Sequence, residues 1–260
     1  MKRIWTVLLA VTMVTAIAVV AGCSSAGATG AGTKDKFVFA TSGAYKPFSF
    51  DKGGKIVGFD VDIANEIAKR LGRTPVMQSP VPFDALIQGL KARKYDALVA
   101  SHAITDERKQ AVDFSRPYYR SGAQIFVAES NTGVAGPADL KSKKIGVVKA
   151  STYLTLAKTL TDEGKITSYD SDVIALQDLG TGRIDAVITD KLVGLLARSE
   201  SGLKIRAVGP VLQQDQMAIA VQKGNTELLA SINKALDAMI ADGTYDKISK
   251  RWFGENILGE

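Results

Sequence analysis

Cysteine and histidine are nearly absent from this sequence. Its 260 residues include one Cys, Cys23, and one His, His102. A single cysteine excludes an intrachain disulfide framework, and a single histidine excludes a His-rich metal site and leaves one imidazole for any Ser-His-Asp catalysis. Most zinc and thiol enzymes are therefore excluded. We predict no cofactor, no metal site and no enzymatic activity.

Long runs of charge of one sign are also missing. The chain has 33 Lys and Arg against 27 Asp and Glu, a formal charge of +6. Without residues 1–22, which contain Lys2 and Arg3, 31 basic residues face the same 27 acidic ones, a formal charge of +4. The two signs are interleaved along the remaining chain, so we predict a solvated charged surface and no nucleic-acid partner.

The N-terminal residues 1–22 are predicted to be a lipoprotein signal peptide. A basic pair precedes an apolar stretch over residues 4–20, and Val20-Ala21-Gly22-Cys23 resembles the lipobox of bacterial lipoproteins. The alternative is a permanent transmembrane helix, but three threonines interrupt the stretch and no basic flank follows it. We therefore expect lipidation of Cys23, a flexible tether over residues 23–34, and an extracytoplasmic, membrane-anchored protein.

From residue 37 onward, short apolar runs alternate with amphipathic helices, which is typical of an α/β fold. Residues 94–99 and 183–188 share a pattern in which a basic residue, any residue, Asp and Ala lead into an apolar strand. This repeat suggests two similar α/β lobes, although generic strand-entry chemistry is an alternative explanation. Strands are predicted over residues 37–40, 97–100, 145–148, 186–189, 205–208 and 218–221, and helices over residues 60–71, 191–197, 225–241 and 245–252.

Polar residues follow two of these strands, where open parallel sheets bind their ligands. Ser101 to Arg108 follows the strand over residues 97–100, and Asp190 follows the strand over residues 186–189. From local sequence alone, Thr105 is a helix N-cap, Arg108 a surface cation and Asp190 a second N-cap. A ligand-binding role for Arg108 and Asp190 is the alternative.

Five segments in order give most of the chain a resemblance to a known family. They are residues 45–50, 58–64, 104–108, 113–119, and 243–245 followed by 250–254. Over residues 37–254 the chain resembles the periplasmic amino-acid-binding proteins of ABC importers. The resemblance implies a two-lobe periplasmic-binding-protein fold, in which two hinged lobes each have a central mixed sheet flanked by helices.

The resemblance also implies a division of the chain and a function. Lobe 1 would comprise residues 35–120 and 216–260, and lobe 2 residues 121–215, with hinge crossings near residues 119–122 and 213–216. The implied protein is a monomeric receptor that closes around an amino-acid zwitterion and delivers it to an ABC permease. Two alternatives remain: an amino-acid-sensing surface lipoprotein without transport, and a dehydratase of the same fold that acts on a small cyclic carboxylic acid.

The family's ligand-binding positions fall on identifiable residues. The resemblance places Arg108 on the ligand α-carboxylate, for which a guanidinium is a two-pronged partner, and Asp190 on the α-ammonium. Tyr45 and Phe83 would be the aromatic walls around the ligand side chain, with core packing as the alternative. Thr152 and Ser151 would add donors to the carboxylate from the start of a helix.

The chain departs from the family pattern at positions that bear on specificity. Ser42 stands where many relatives carry an Asp, and Ala103 replaces a hydroxyl residue, so its contact with the ligand would come from the backbone. Strand alternation places Ser101 with Ala103 in the cleft and His102 on the opposite face, where we expect a structural role. Asp60 is interpreted as a helix N-cap. A polar uncharged or sulfur-containing ligand such as glutamine or cystine is favoured, and arginine remains an alternative.

Overall fold

A computed structural model describes residues 35–200 and 202–259. The predicted signal peptide, the predicted tether and Cys23 lie outside these residues. Of the helices in the described ranges, none combines the length and the apolar character that a membrane span requires.

The described residues form strands and helices in the alternation that the sequence predicts. The strands are β1 Lys36–Ala40, β2 Ala44–Tyr45, β3 Ser49–Asp51, β4 Ile56–Val57, β5 Thr74–Gln78, β6 Ala97–Ala103, β7 Val112–Ala128, β8 Ile145–Val148, β9 Ile166–Tyr169, β10 Ala186–Asp190 and β11 Ile205–Gln222. The helices are α1 Phe59–Arg70, α2 Leu86–Lys91, α3 Asp106–Ala111, α4 Thr152–Leu160, α5 Asp172–Gly180, α6 Lys191–Glu200, α7 Thr226–Ala241 and α8 Thr244–Phe253.

Eight of the strands form one mixed sheet in the order β5-β1-β6-β11-β7-β10-β8-β9. Strands β5, β1 and β6 are parallel and make up the first half of the sheet, and the parallel strands β10, β8 and β9 make up the second half. The long strands β7 and β11 run antiparallel through both halves. The predicted α/β fold is confirmed, with its two central sheets joined into one.

The two expected hinge crossings lie side by side in the sheet. Segments predicted as separate strands near residues 205–208 and 218–221 belong to the single strand β11. Within it, Gln214 pairs with Gly122, Asp215 with Ser121, and the register shifts between Val208 and Gln213. The halves are therefore connected by a two-stranded antiparallel ribbon whose backbone pairing continues through both crossings.

The repeated Asp in the sequence pattern has the same structural role in both halves. Asp96 accepts a hydrogen bond from the backbone N–H of Val38 (2.8 Å), and Asp185 accepts one from the backbone N–H of Lys144 (2.8 Å). Each carboxylate accepts from a backbone N–H in or next to the neighbouring parallel strand, and nearly all such backbone groups find a partner in folded proteins. The repeat therefore reflects a shared construction of the two halves.

Helix α1 shows how local pattern and packing agree. Its apolar residues Ile63, Ala64, Ile67 and Ala68 are buried, and they pack in the main apolar cluster with the aromatic residues of the first half. Gly72 follows the helix with φ of 67°, the left-handed conformation that ends a helix at low cost in glycine.

Candidate functional site

A cavity of about 570 Å³, its open mouth included, lies between residues of the two sheet halves. From the first half and its strand β11, it is lined by Ser42, Ala44, Tyr45, Phe83, Ser101, Ala103, Arg108 and Met217. From the second half, it is lined by Val148, Ser151, Thr152, Tyr153, Asp170, Ser171 and Asp172. All the residues predicted to bind the ligand line this cavity except Asp190, and their contact with a ligand stays a prediction.

Arg108 projects from the first turn of α3 to the cavity. Thr105 is the N-cap, as predicted, and its Oγ1 accepts a hydrogen bond from the Arg108 backbone N–H (3.1 Å). The guanidinium donates from Nη1 to the Ala103 carbonyl (3.0 Å) and from Nη2 to the Ala150 carbonyl (3.1 Å), which belongs to the second half. Burial lowers the Arg108 pKa. Because a guanidinium has five N–H donors, these two bonds leave donors for an incoming carboxylate.

His102 supports one wall of the cavity without lining it. Its ring stacks on the Phe83 ring with centroids 4.6 Å apart, and its Nδ1 lies 3.1 Å from the Ala100 carbonyl oxygen. Burial lowers the His102 pKa well below its ordinary value, and the nearby Arg108 charge adds to this effect. A neutral imidazole therefore holds Phe83, which lies 5.8 Å from the guanidinium carbon of Arg108.

Asp60 is not the helix N-cap that the sequence predicts. The N-cap of α1 is Gly58, and Asp60 lies in the first turn with its side chain buried among the core residues. Its Oδ2 accepts from the Ser101 hydroxyl (2.9 Å) and its Oδ1 from the Tyr118 hydroxyl (2.6 Å). Burial raises the Asp60 pKa to about 7, and the two hydrogen bonds oppose that rise. The Ser101 hydroxyl is thus bonded to Asp60, although Ser101 lines the cavity.

Asp190 is fully buried at the end of β10, and only one of its oxygens is satisfied. Its Oδ1 accepts from the Ser121 hydroxyl (2.6 Å) and from the Leu192 backbone N–H (2.8 Å). Its Oδ2 has no hydrogen-bond partner among the described residues. Burial raises the Asp190 pKa to about 7; the bonds from Ser121 and Leu192 lower it, and the charges of Asp215 and Asp172 raise it. The bond to Leu192 matches the local capping interpretation, and the free oxygen requires another explanation.

Asp172 is a cavity residue that sequence reasoning missed. Asp172 is the first residue of α5, after the N-cap Ser171, and only 6% of its surface is exposed. The hydroxyl of the buried Thr189 donates to its Oδ1. Burial raises the Asp172 pKa to about 6, against the effect of the Thr189 bond. Sequence reasoning passed over Asp172 because Ser-Asp at the start of a helix is a common capping pattern. The position of this pair after strand β9, at the sheet edge where ligands bind, could have identified it as a candidate site residue.

The remaining predicted residues are held by local contacts. Tyr45 stacks on Phe48 with ring centroids 5.1 Å apart. Ser151 is the N-cap of α4, accepting from the Leu154 backbone N–H (3.3 Å) and donating to the Val148 carbonyl (2.7 Å). The helix starts at Thr152, so this residue presents the first helical backbone N–H at the cavity.

Comparisons with known proteins agree on one class of protein. The family model described as bacterial extracellular solute-binding proteins, family 3, matches residues 37–255. The L-cystine-binding protein TcyJ of Escherichia coli (strain K12) is 34% identical over 252 residues, which cover 94% of each chain. The L-arginine-binding protein of Pseudomonas aeruginosa is 38% identical over 226 residues, covering 83% of this chain and 87% of that protein. A solved structure of an ancestral arginine-binding protein bound to glutamine is 42% identical, with a TM-score of 0.79 over 85% of this chain and 99% of that chain.

Proposed function

We propose, since the chain belongs to family 3 of the bacterial extracellular solute-binding proteins, that it is an extracytoplasmic receptor that binds a free amino acid and delivers it to an ABC permease. The names of the relatives describe amino-acid-binding proteins, which supports this class of ligand. In this proposal, lobe 1 comprises residues 35–120 and 216–260, and lobe 2 comprises residues 121–215.

One observation carries the proposal: a guanidinium and a buried carboxylate line a cavity between the two halves, and a second buried carboxylate, in the strand that bonds to the first, has one oxygen without a partner among the described residues. Arg108 belongs to the first half, and Asp190 and Asp172 belong to the second. Every amino acid has a carboxylate and an ammonium on one carbon, so a cation and an anion from opposite halves match the part that all amino acids share. The guanidinium binds the α-carboxylate, and Asp190, with its free Oδ2, takes the α-ammonium.

Closure of the two halves is the signal that the ligand is bound. Arg108 already donates to the Ala150 carbonyl of the second half, so the two halves approach within hydrogen-bond distance at the cavity. A ligand that contacts both halves favours the closed arrangement by its differential affinity for it. The β7–β11 ribbon is the hinge, and the closed pair of lobes is what the permease recognises.

Membrane anchoring is the second part of the proposal. The sequence Val20-Ala21-Gly22-Cys23 supports cleavage before Cys23 and its lipidation. The acyl chains hold the monomeric receptor at the membrane surface near its permease, and residues 23–34 act as the tether. Mass spectrometry of the membrane-extracted protein tests the lipidation, and a Cys23→Ala variant should be released in soluble form.

The decisive experiment on binding is the removal of the Arg108 guanidinium. A thermal-shift screen of the twenty amino acids, cystine and ornithine, on protein refolded free of carried-over ligand, first identifies the ligand. Arg108→Ala should then lower its affinity more than about 100-fold by calorimetry, because hydrogen bonds to charged groups contribute about 1.5 to 3 kcal/mol each. Arg108→Lys keeps the charge but loses the two-pronged geometry, so it should restore only part of the affinity.

Arg116 provides the matched control for this experiment. It is an exposed arginine that pairs with Asp237 and does not line the cavity. Arg116→Ala should bind the ligand with unchanged affinity. Normal affinity in Arg108→Ala would remove Arg108 from the site, and formation of an aromatic product from prephenate or arogenate would favour the dehydratase alternative instead.

A further inference from the structure

We infer that the ligand is an amino acid with a cationic side chain, and that Asp172 is the residue that selects for this charge. The inference rests on the proposed function and names the class of ligand within it. It differs from the sequence expectation of an uncharged ligand, which followed from Ser42. The structure supplies a carboxylate to the same cavity from the opposite half.

The balance of charge around the cavity is the first observation. Arg108 is the cation among the residues that line the cavity. Of the buried carboxylates, Asp172 lines the cavity, and Asp190 and Asp215, which do not line it, interact electrostatically with each other. Asp170 also lines the mouth, but it is exposed and paired with Lys149 (2.7 Å). An α-zwitterion adds one charge of each sign, so it pairs with Arg108 and one carboxylate and leaves the negative excess unchanged. A buried uncompensated carboxylate is costly, and a second cation on the ligand would compensate it.

The second observation is the position of Asp172 relative to Asp190. Thr189 and Asp190 are consecutive residues of β10, and the Thr189 hydroxyl donates to Asp172. Tyr45 is one of the aromatic walls. Burial raises the pKa of its hydroxyl, and the charges of Asp190 and Asp172 add to this rise. The two carboxylates are thus anchored at consecutive positions of one strand, and each contributes to the rise of the Tyr45 pKa. One is available for the α-ammonium, and the other for a cation on the side chain.

The third observation concerns the walls. Tyr45 and Phe83 line the cavity, and Phe83 already lies 5.8 Å from a guanidinium carbon, that of Arg108. An aromatic face packs against an aliphatic stem and also attracts a cation. Within the described residues, no group of three or more His, Cys, Asp or Glu side chains is placed to hold a metal ion. A ligand cation is thus the favoured partner for Asp172.

A purely structural role for Asp172 makes a different prediction. An acidic residue in the first turn of a helix stabilises that helix, and its bond from Thr189 ties α5 to β10. Loss of these contacts would change the stability of the protein and the affinity for every ligand by a similar factor. A specificity role changes the ratio of affinities between a cationic ligand and its neutral isostere.

Arginine and citrulline are the pair of ligands that isolates the charge. They have nearly the same shape, and the guanidinium of one is a neutral ureido group in the other. Calorimetry at pH 7.5 should show arginine binding at least about 10-fold more tightly than citrulline to the wild-type protein. Asp172→Asn should reduce this preference to less than about 3-fold, mainly by weakening the binding of arginine. Lysine and ornithine, compared with glutamine, extend the test to ammonium side chains.

Asp178→Asn is the matched control, because it removes a carboxylate of the same helix that pairs with Arg183 (2.8 Å) and does not line the cavity. It should keep the preference of the wild-type protein. The wild-type comparison depends on no variant. If the wild-type protein binds arginine and citrulline equally well, the inference is overturned, but the proposed function stands. An unchanged preference in a folded Asp172→Asn would also overturn it. Failure of every amino acid to bind would overturn the proposed function and this inference with it.

Discussion

Two buried carboxylates, Asp60 in the first half and Asp190 in the second, have the same burial but different surroundings. Neither is exposed, and burial raises the pKa of each to about 7. Asp60 accepts a hydroxyl on each oxygen, from Ser101 and from Tyr118. Asp190 accepts two donors on Oδ1, and its Oδ2 has no partner among the described residues.

The difference distinguishes a carboxylate whose hydrogen bonds are complete from one that we propose to bind the ligand. A protein interior leaves few buried polar atoms unsatisfied, because each such atom costs about 1 to 3 kcal/mol. Asp60 shows that this chain can complete the hydrogen bonding of a buried carboxylate with its own side chains. The incomplete shell of Asp190 is therefore a feature that the proposed α-ammonium would complete.

The largest expected difference between the two carboxylates is in ligand affinity. Asp190→Asn should weaken binding of the identified amino acid by about 3 to 5 kcal/mol, or about 150- to 5,000-fold, because it removes one partner of a buried ion pair. Asp60→Asn is the matched change at equal burial and should leave the affinity within about 3-fold. Calorimetry on both variants, with circular dichroism as the check of folding, makes the comparison. Similar losses in both would show that the difference in hydrogen bonding carries no functional meaning.

The next effect is the pH dependence of stability without ligand. A carboxyl group whose pKa is higher in the folded than in the unfolded protein stabilises the fold at low pH, and that contribution is lost as the pH rises. For Asp190 the change runs from the ordinary value of 3.8 to about 7, so about 4 kcal/mol is lost between pH 4 and pH 8. The Asp190→Asn variant has no carboxyl group to ionise at this position, so it does not lose this part of its stability as the pH rises. Urea unfolding should therefore find it more stable than the wild-type protein at pH 8, with the two converging near pH 4.

The ligand should distinguish Asp60 from Asp190 in the same pH range. An ammonium paired with Asp190 favours its ionised form, so binding at pH 6 should release close to one proton. Calorimetry in buffers of different ionisation enthalpy measures this number. Asp60→Asn should keep the release, and Asp190→Asn should lose it. A release that persists in Asp190→Asn would assign the proton to another group and contradict the pairing.

The sequence predicted the fold where its local pattern was sufficient. The strand over residues 145–148 and the helix over residues 225–241 agree with β8 and α7 to within one residue, because apolar periodicity and capping residues are local signals. The length of β7 and β11 was not predicted, since their polar central residues pair only with each other. That pairing is a tertiary property.

The site was predicted where the resemblance supplied it and was missed where burial decides the role. Asp60 and Asp172 each lie in the first turn of a helix, so the local pattern assigned the first to capping and gave no reason to select the second. Only the packing of distant residues, Tyr118 against Asp60 and Thr189 against Asp172, turns them into buried carboxylates. Ser101 lines the cavity, but its φ of 53° and the bond from its hydroxyl to Asp60 are features that strand alternation does not predict.

The smallest expected effects come from removing the serine hydroxyls that donate to the two carboxylates. Ser121 lies in the β7–β11 ribbon and donates to Asp190, as Ser101 donates to Asp60. Ser121→Ala and Ser101→Ala each remove one hydrogen bond to a carboxylate and should each lower the free energy of unfolding at pH 8 by about 1 to 2 kcal/mol, and by less at pH 4, where the carboxyls are neutral. Ligand affinity should fall about 10-fold in Ser121→Ala, because Asp190 is no longer held for the ammonium, and should change less than about 3-fold in Ser101→Ala. The reverse order of affinities would place the ammonium near Asp60 and invert the assignment of the two carboxylates.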